Sequence, residues 1–310
     1  VSEPAPTADP AGGAPAPAGP SPLLEKFERL MRIGSAITGG LFFLCFLIPT
    51  DHSYNGEFRW IWDMALRSAD RSLETPGELI ELVVMIFPFM AIPIMAIAAG
   101  SKRSPMRLFP IAIAALLQFG PLALMVALAT TDNRIGLHPD EAIPVAVMLG
   151  GAFSFLAAPA GCTGLAMGTQ RTAWRVAAGL GGALLALGSF LVFVLIIEKV
   201  ADPEVEAFKW PLFLSSIAGL LSGVAGLCAA GSHEHRASFA KACLVGIGAG
   251  ALLLGIFSMS FSLPGWDPRP EELWVILHFD IRALAGGLLG WLFVTAMLQS
   301  FSPIEERATA

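Results

Sequence analysis

The chain has 310 residues, 55% of them hydrophobic and only 14% charged, with a mean hydropathy of +0.68 and a formal net charge of −6. A water-soluble domain carries about a quarter charged residues, so the two soluble domains that this length would allow are excluded. The negative balance also argues against nucleic acid as a partner.

Residues 1–22, VSEPAPTADPAGGAPAPAGPSP, hold nothing that can form a core. The tract reads as a disordered Pro/Ala-rich tail with polyproline II character, and with no basic start or apolar stretch it is no signal peptide. The membrane domain is expected over 23–302, followed by a short tail, 303–310. Leu23, Leu24, Phe27, Leu30 and Met31 recur at helical spacing with charges between them, which predicts an amphipathic lead-in to a first span.

Charge is then absent over eight runs, 33–50, 82–101, 108–131, 142–170, 176–197, 210–232, 242–266 and 283–304. About 20 residues at 1.5 Å each cross a hydrocarbon core, so each run suffices for one helical crossing. None shows the alternation of a barrel strand. The expected fold is all-α, a polytopic transmembrane bundle of about eight spans in the lipid bilayer.

Lys and Arg set its orientation. With the N-terminus inside, the cytoplasmic segments hold Lys26, Arg29, Arg32, Lys102, Arg103, Arg107, Arg171, Arg175, Arg236, Lys241 and Arg307. The short loops 101–107, 168–175 and 231–241 carry the bias most clearly, so both termini are expected in the cytoplasm of a multi-pass plasma (inner) membrane protein.

In the longest outer loop, Phe58, Ile61, Trp62, Ala65, Ala69 and Leu73 alternate with charged residues every 3–4 positions. Residues 57–73 are predicted as an amphipathic helix on the outer interface, burying Phe58, Ile61, Trp62 and Leu66. The sequences Thr75-Pro76-Gly77-Glu78 and His138-Pro139-Asp140-Glu141 read as helix starts, Pro in the first turn and a carboxylate toward the dipole. Small residues at four-residue spacing, Ser35/Gly39, Gly164/Gly168, Ala178/Gly182, Gly219/Gly223, Gly246/Gly250 and Gly286/Gly290, predict close helix packing. Such faces serve intramolecular packing, a membrane-protein partner or a homo-oligomer.

Ionisable groups at membrane depth are functional candidates by default, and few are present. Glu78 and Glu81 share a face at the start of the second span, and His278, Asp280 and Arg282 enter the last. The preferred reading makes 272–282 an interfacial turn of helix and 283–302 the crossing, with Arg282 snorkelling to the headgroups; the alternative starts the helix near Glu272 and places Asp280 about 12 Å along it. His52, His138 and His278 map to the same outer side, a set that metal binding or quinol chemistry would use. Cys45, Cys162, Cys228 and Cys243 all lie in apolar runs and read as small buried hydrophobes. No phosphate loop, nucleophile elbow, zinc spacing or haem ligand set is present, so no cofactor is identified.

Three functions remain open. A non-enzymatic membrane subunit or scaffold, packing against partner proteins or lipid, fits the uncharged middle spans best. A carrier or channel for a small neutral or lipophilic solute would use the proline-containing spans 2–4. A membrane enzyme, or a quinol or metal site at the outer face, would use Glu78, Glu81, His278, Asp280 and Arg282.

Overall fold

The computed structural model describes residues 22–52, 56–63, 66, 76–101, 109–118, 139–168, 171–198, 209–257, 259, 270 and 272–299. The tails 1–21 and 303–310, the loop 102–107, His138 and residues 67–73 lie outside them. The described residues form seven long helices and one short helical stretch, α3: α1 Pro22–Leu47, α2 Pro76–Gly100, α3 Phe109–Gln118, α4 Pro139–Ala166, α5 Thr172–Glu198, α6 Lys209–Gly231, α7 Arg236–Phe257 and α8 Glu272–Gln299. Five of them, α1, α5, α6, α7 and α8, are long and apolar enough to cross a membrane. Among the described residues α2, α3 and α4 supply the shorter apolar stretches Phe89–Gly100, Phe109–Gln118 and Phe153–Ala166.

Glycine sets the helix register. A Cβ placed on Gly161 would stand 2.3 Å from the Ala178 nitrogen, and one on Gly181 2.6 Å from the Ala158 nitrogen, so α4 and α5 run antiparallel with their backbones touching. Gly182 and Gly223 join α5 to α6 in the same way, and Gly255 and Gly287 join α7 to α8. Gly246 receives Ser222 of α6, and Gly34 of α1 receives Leu292 of α8. Helices α4 to α7 therefore close into a four-helix unit, and α8, α1 and α2 extend it in that spatial order. Such close backbone approach brings a dispersion gain that holds the helices together.

Four of the six sequence ridges, Ala178/Gly182, Gly219/Gly223, Gly246/Gly250 and Gly286/Gly290, meet neighbouring helices of the same chain, as does Gly39, which faces Met95 of α2. Gly168 does not belong to a ridge. Its φ of 74° places it just past the end of α4, where its N–H bonds the Leu165 carbonyl and stops the helix.

Two expectations need correction. The helix expected over 57–73 begins at Ile61, because Phe58–Arg59 forms strand β2, antiparallel to β1 Asp51–His52. Pro49 follows the last turn of α1, and the Thr50 N–H beyond it finds the Arg59 carbonyl at 2.8 Å. That bond holds the segment extended, and Gly56 at φ 82° allows the chain to turn back. The Asp63 carboxylate then accepts from the Trp60 N–H at 3.2 Å, a capping contact that starts the helical turn 61–63. Ile61 is buried and Trp62 half-buried, but Leu66 is exposed.

The second concerns α8, where the alternative reading describes the helix: it runs unbroken from Glu272, with His278 and Asp280 both buried inside the protein. Its inner face is apolar from Ile281 onward, so nothing in the chain breaks the helix at 283.

Candidate functional site at the start of α8

The site begins with a defect in α1. In a helix the carbonyl of residue 45 accepts from the N–H of residue 49. Residue 49 is proline and has no N–H, so the Cys45 carbonyl loses its partner while the preceding one, Leu44, still receives the Ile48 N–H at 3.1 Å. His278 fills the gap. Its Nδ1 lies 2.9 Å from the Cys45 oxygen, and the Cys45 thiol donates back to the His278 carbonyl at 3.5 Å. Two residues on, Trp60 Nε1 donates to the Leu47 carbonyl at 3.1 Å. The C-terminal carbonyls of α1 are thus capped by side chains from α8 and from the segment after the hairpin.

This arrangement fixes the imidazole. A carbonyl oxygen can only accept, so Nδ1 carries a proton. Nε2 is buried and has no hydrogen-bond partner, although the Ile48 carbonyl stands near the same ring. An unsatisfied buried polar atom costs about 1–3 kcal/mol.

The surroundings are apolar and aromatic. Cys45, Ile61 and Phe89 form a small core of their own, with Phe46, Trp62 and Ile281 packed on it. Phe46 lies 5.0 Å from Trp62 and 5.9 Å from Phe89, ring centre to ring centre, and Phe89 lies 6.2 Å from His278. The Arg282 guanidinium, one turn along α8 from His278, stands 6.0 Å from the centre of the Phe89 ring. Asp280 is 7% exposed and engaged in polar contact.

Phe89 is therefore the residue that α2 brings to the level of His278. Glu81 and Glu78 stand 8 and 11 positions before it on the same helix, about 12 and 16 Å toward its start. Their side chains lie outside the described residues. His52 belongs to β1, where its backbone pairs with Phe58, and its side chain too is outside them. His233 and His235 stay in an exposed turn, with Arg236 Nη2 3.4 Å from His233 Nδ1.

Cys162 and Cys243 bring their thiols into contact between α4 and α7, and all four cysteines are free. Among the described residues no three His, Cys, Asp or Glu side chains gather as a metal set. Sequence reasoning singled out His278, Asp280 and Arg282 but missed Cys45, Phe89, Arg59 and Trp60. Only Pro49, four residues after Cys45, hinted that a carbonyl there would need a foreign donor.

Compared with protein-family models, curated proteins and solved structures, the chain matches none.

Proposed function

We propose that the chain is an integral membrane subunit that crosses the bilayer about eight times, both termini in the cytoplasm of a plasma (inner) membrane. Its work is packing against partner proteins or lipid rather than catalysis. The observation that carries this reading is the interior of the α4–α7 unit. Where Gly182 meets Gly223 and Gly161 meets Ala178, backbone lies on backbone, a spacing too tight for a solute path between those helices. A carrier would need polar groups converging at mid-depth, and an outer-face enzyme would need a carboxylate such as Glu81 beside His278.

The test joins two measurements. The tagged chain, extracted in mild detergent from its own cells, is expected in an assembly of fixed stoichiometry, larger than one 32.6 kDa chain in its micelle. Complementation of whatever phenotype deletion produces should survive Asp280→Asn. A monodisperse single chain, or loss of complementation by a folded Asp280→Asn protein, overturns the reading.

A further inference from the structure

Three helix ends meet at one end of the α4–α7 unit. A Cβ on Gly179 would lie 3.6 Å from the Ala230 Cβ, and one on Gly226 would lie 3.4 Å from the Cys243 sulfur. The start of α5, the end of α6 and the start of α7 therefore come together. Side chains tie them. Arg175 Nε donates to the Ala230 carbonyl at 3.3 Å and Arg236 Nε to the Ser232 carbonyl at 3.1 Å, so two guanidiniums are seated at the end of α6. Arg236 Nη2 also lies 3.4 Å from His233 Nδ1.

Capping α6 accounts for the two seats but leaves the charge in excess. Residues 171–175 and 231–241 carry Arg171, Arg175, Arg236 and Lys241 against a single acid, Glu234. Arg171 immediately precedes α5 and Arg236 opens α7, and neither helix has an acidic residue in its first turn. A cation at a helix start opposes the dipole of its own helix, so this surface concentrates positive potential at its own cost. Arg171 and Arg175 are exposed and Arg236 is half-buried.

What adjoins the charge points to the kind of partner. Beyond Arg175, α5 carries no charge from 176 to 197, and Val176, Leu180, Leu184 and Leu187 on it are exposed. Trp174, between the two arginines, packs on Gly164, an aromatic where the charged end gives way to the apolar face. A partner with an anionic head and apolar chains fits both halves of this surface, whereas a soluble anion fits only the charged half.

We propose that this end of the bundle is a docking surface for anionic phospholipid, which it draws from the bilayer in preference to zwitterionic lipid. The headgroup meets the arginines and the chains run down the exposed face of α5. The inference rests on the membrane reading above and adds to it the class of lipid the subunit gathers.

The test places the full chain in nanodiscs of equal parts phosphatidylcholine and phosphatidylglycerol, one or the other brominated near the headgroup to quench tryptophan. The quenching that disappears in Trp174→Phe reports this surface. Brominated phosphatidylglycerol is expected to quench Trp174 more than brominated phosphatidylcholine does. At about 1 M salt, where screening leaves a range of about 3 Å, the two should become equal. Arg171→Gln, outside the helices, should lower the preference about fivefold, which corresponds to about 1 kcal/mol for a basic residue at an anionic surface. Arg175→Lys loses the bond to Ala230 but keeps the charge, and should keep the preference. Arg29→Gln with Arg32→Gln removes two exposed cations from α1, beyond α8, and should leave it unchanged.

Equal quenching by the two lipids at low salt, an undiminished preference in Arg171→Gln, or an equal loss in the α1 variant overturns the proposal. Soluble polyglutamate that binds in phosphatidylcholine discs and is not displaced by phosphatidylglycerol would assign the surface to an acidic protein segment and remove the lipid. A chain that fails to enter nanodiscs refutes the membrane reading itself, a result distinct from entry without lipid preference.

Discussion

Gly223→Ala is the sharpest test of how the helices are held. The added methyl would lie 2.4 Å from the Ala186 nitrogen, 2.6 Å from the Gly182 oxygen and 2.7 Å from the Ala186 Cα. Non-bonded heavy atoms rest at about 3.5 Å or more, so α5 and α6 must part by roughly 1 Å. All three obstacles are backbone and none can rotate away. Overpacking of this kind costs about 1–3 kcal/mol, set against a gain of nearly 1 kcal/mol from replacing glycine by alanine in a helix. Gly179→Ala on α5 is the matched control. Its methyl would meet only the Ala230 Cβ at 3.6 Å, an ordinary contact. The propensity gain is common to both variants, so their difference isolates the clash. Thermal unfolding of the detergent-solubilised protein, followed by near-UV circular dichroism, should place Gly223→Ala several degrees below Gly179→Ala, at about 2–4 °C per kcal/mol for a large domain. Equal midpoints would mean that α5 and α6 are not in backbone contact, and the account of a solid α4–α7 unit would fall.

Other outcomes follow from the same geometry. In a cysteine-free background, Arg236→Cys should resist a membrane-impermeant maleimide in intact cells and react after permeabilisation; labelling in intact cells would reverse the topology. Gly34→Cys with Leu292→Cys should cross-link under mild oxidation, since a Cβ at position 34 would meet the Leu292 side chain; absence of the link, with Gly34→Cys/Ala283→Cys as the negative control, would refute the antiparallel α1/α8 pairing. Trp60→Phe keeps the ring and loses the donor to the Leu47 carbonyl, and should cost about 1 kcal/mol; an unchanged unfolding midpoint would show that solvent replaces that bond.

Much of the helical layout is legible in the sequence because a long charge-free run is a strong local signal for an apolar helix. The charge-free run 176–197 falls within α5, and 210–232 coincides with α6 to one residue at each end. Pro76 and Pro139 stand at the first positions of α2 and α4, as their missing N–H groups favour. What failed was local pattern reading where a distant partner decides. The 3–4 spacing over 57–73 is genuine, but the Thr50 N–H stranded beyond Pro49 takes the Arg59 carbonyl and pulls residues 58–59 into a strand. Likewise the polar residues 278–282 looked like an interfacial turn because nothing nearby in sequence offers to bury them. Their burial is supplied by α1, and Cys45 and His278 are 233 positions apart.

The same contrast bears on where this protein can hold anything. A glycine contact is satisfied within the chain: once Gly255 and Gly287 touch, no group there is left wanting. Ser222 in the same unit returns its hydroxyl to the Ala218 carbonyl of its own helix, so even its polar atom is spent locally. The cap over α1 is different in kind. Pro49 forces a carbonyl to recruit His278, and an imidazole that donates with one nitrogen in the neutral form must carry a lone pair on the other. The helix end is satisfied only by burying a second ring nitrogen one ring-width away, at Nε2. A leucine or phenylalanine at 278 would fill that volume without this consequence, while leaving the Cys45 carbonyl unpaired. An asparagine would cap the carbonyl without placing any atom at Nε2. Histidine alone among these choices both caps the helix and buries a second ring nitrogen, with Phe89 and Phe279 against the ring. It is one of five positions among the described residues, with Arg59, Gln118, Thr163 and Ser215, where a buried side-chain polar atom finds no partner.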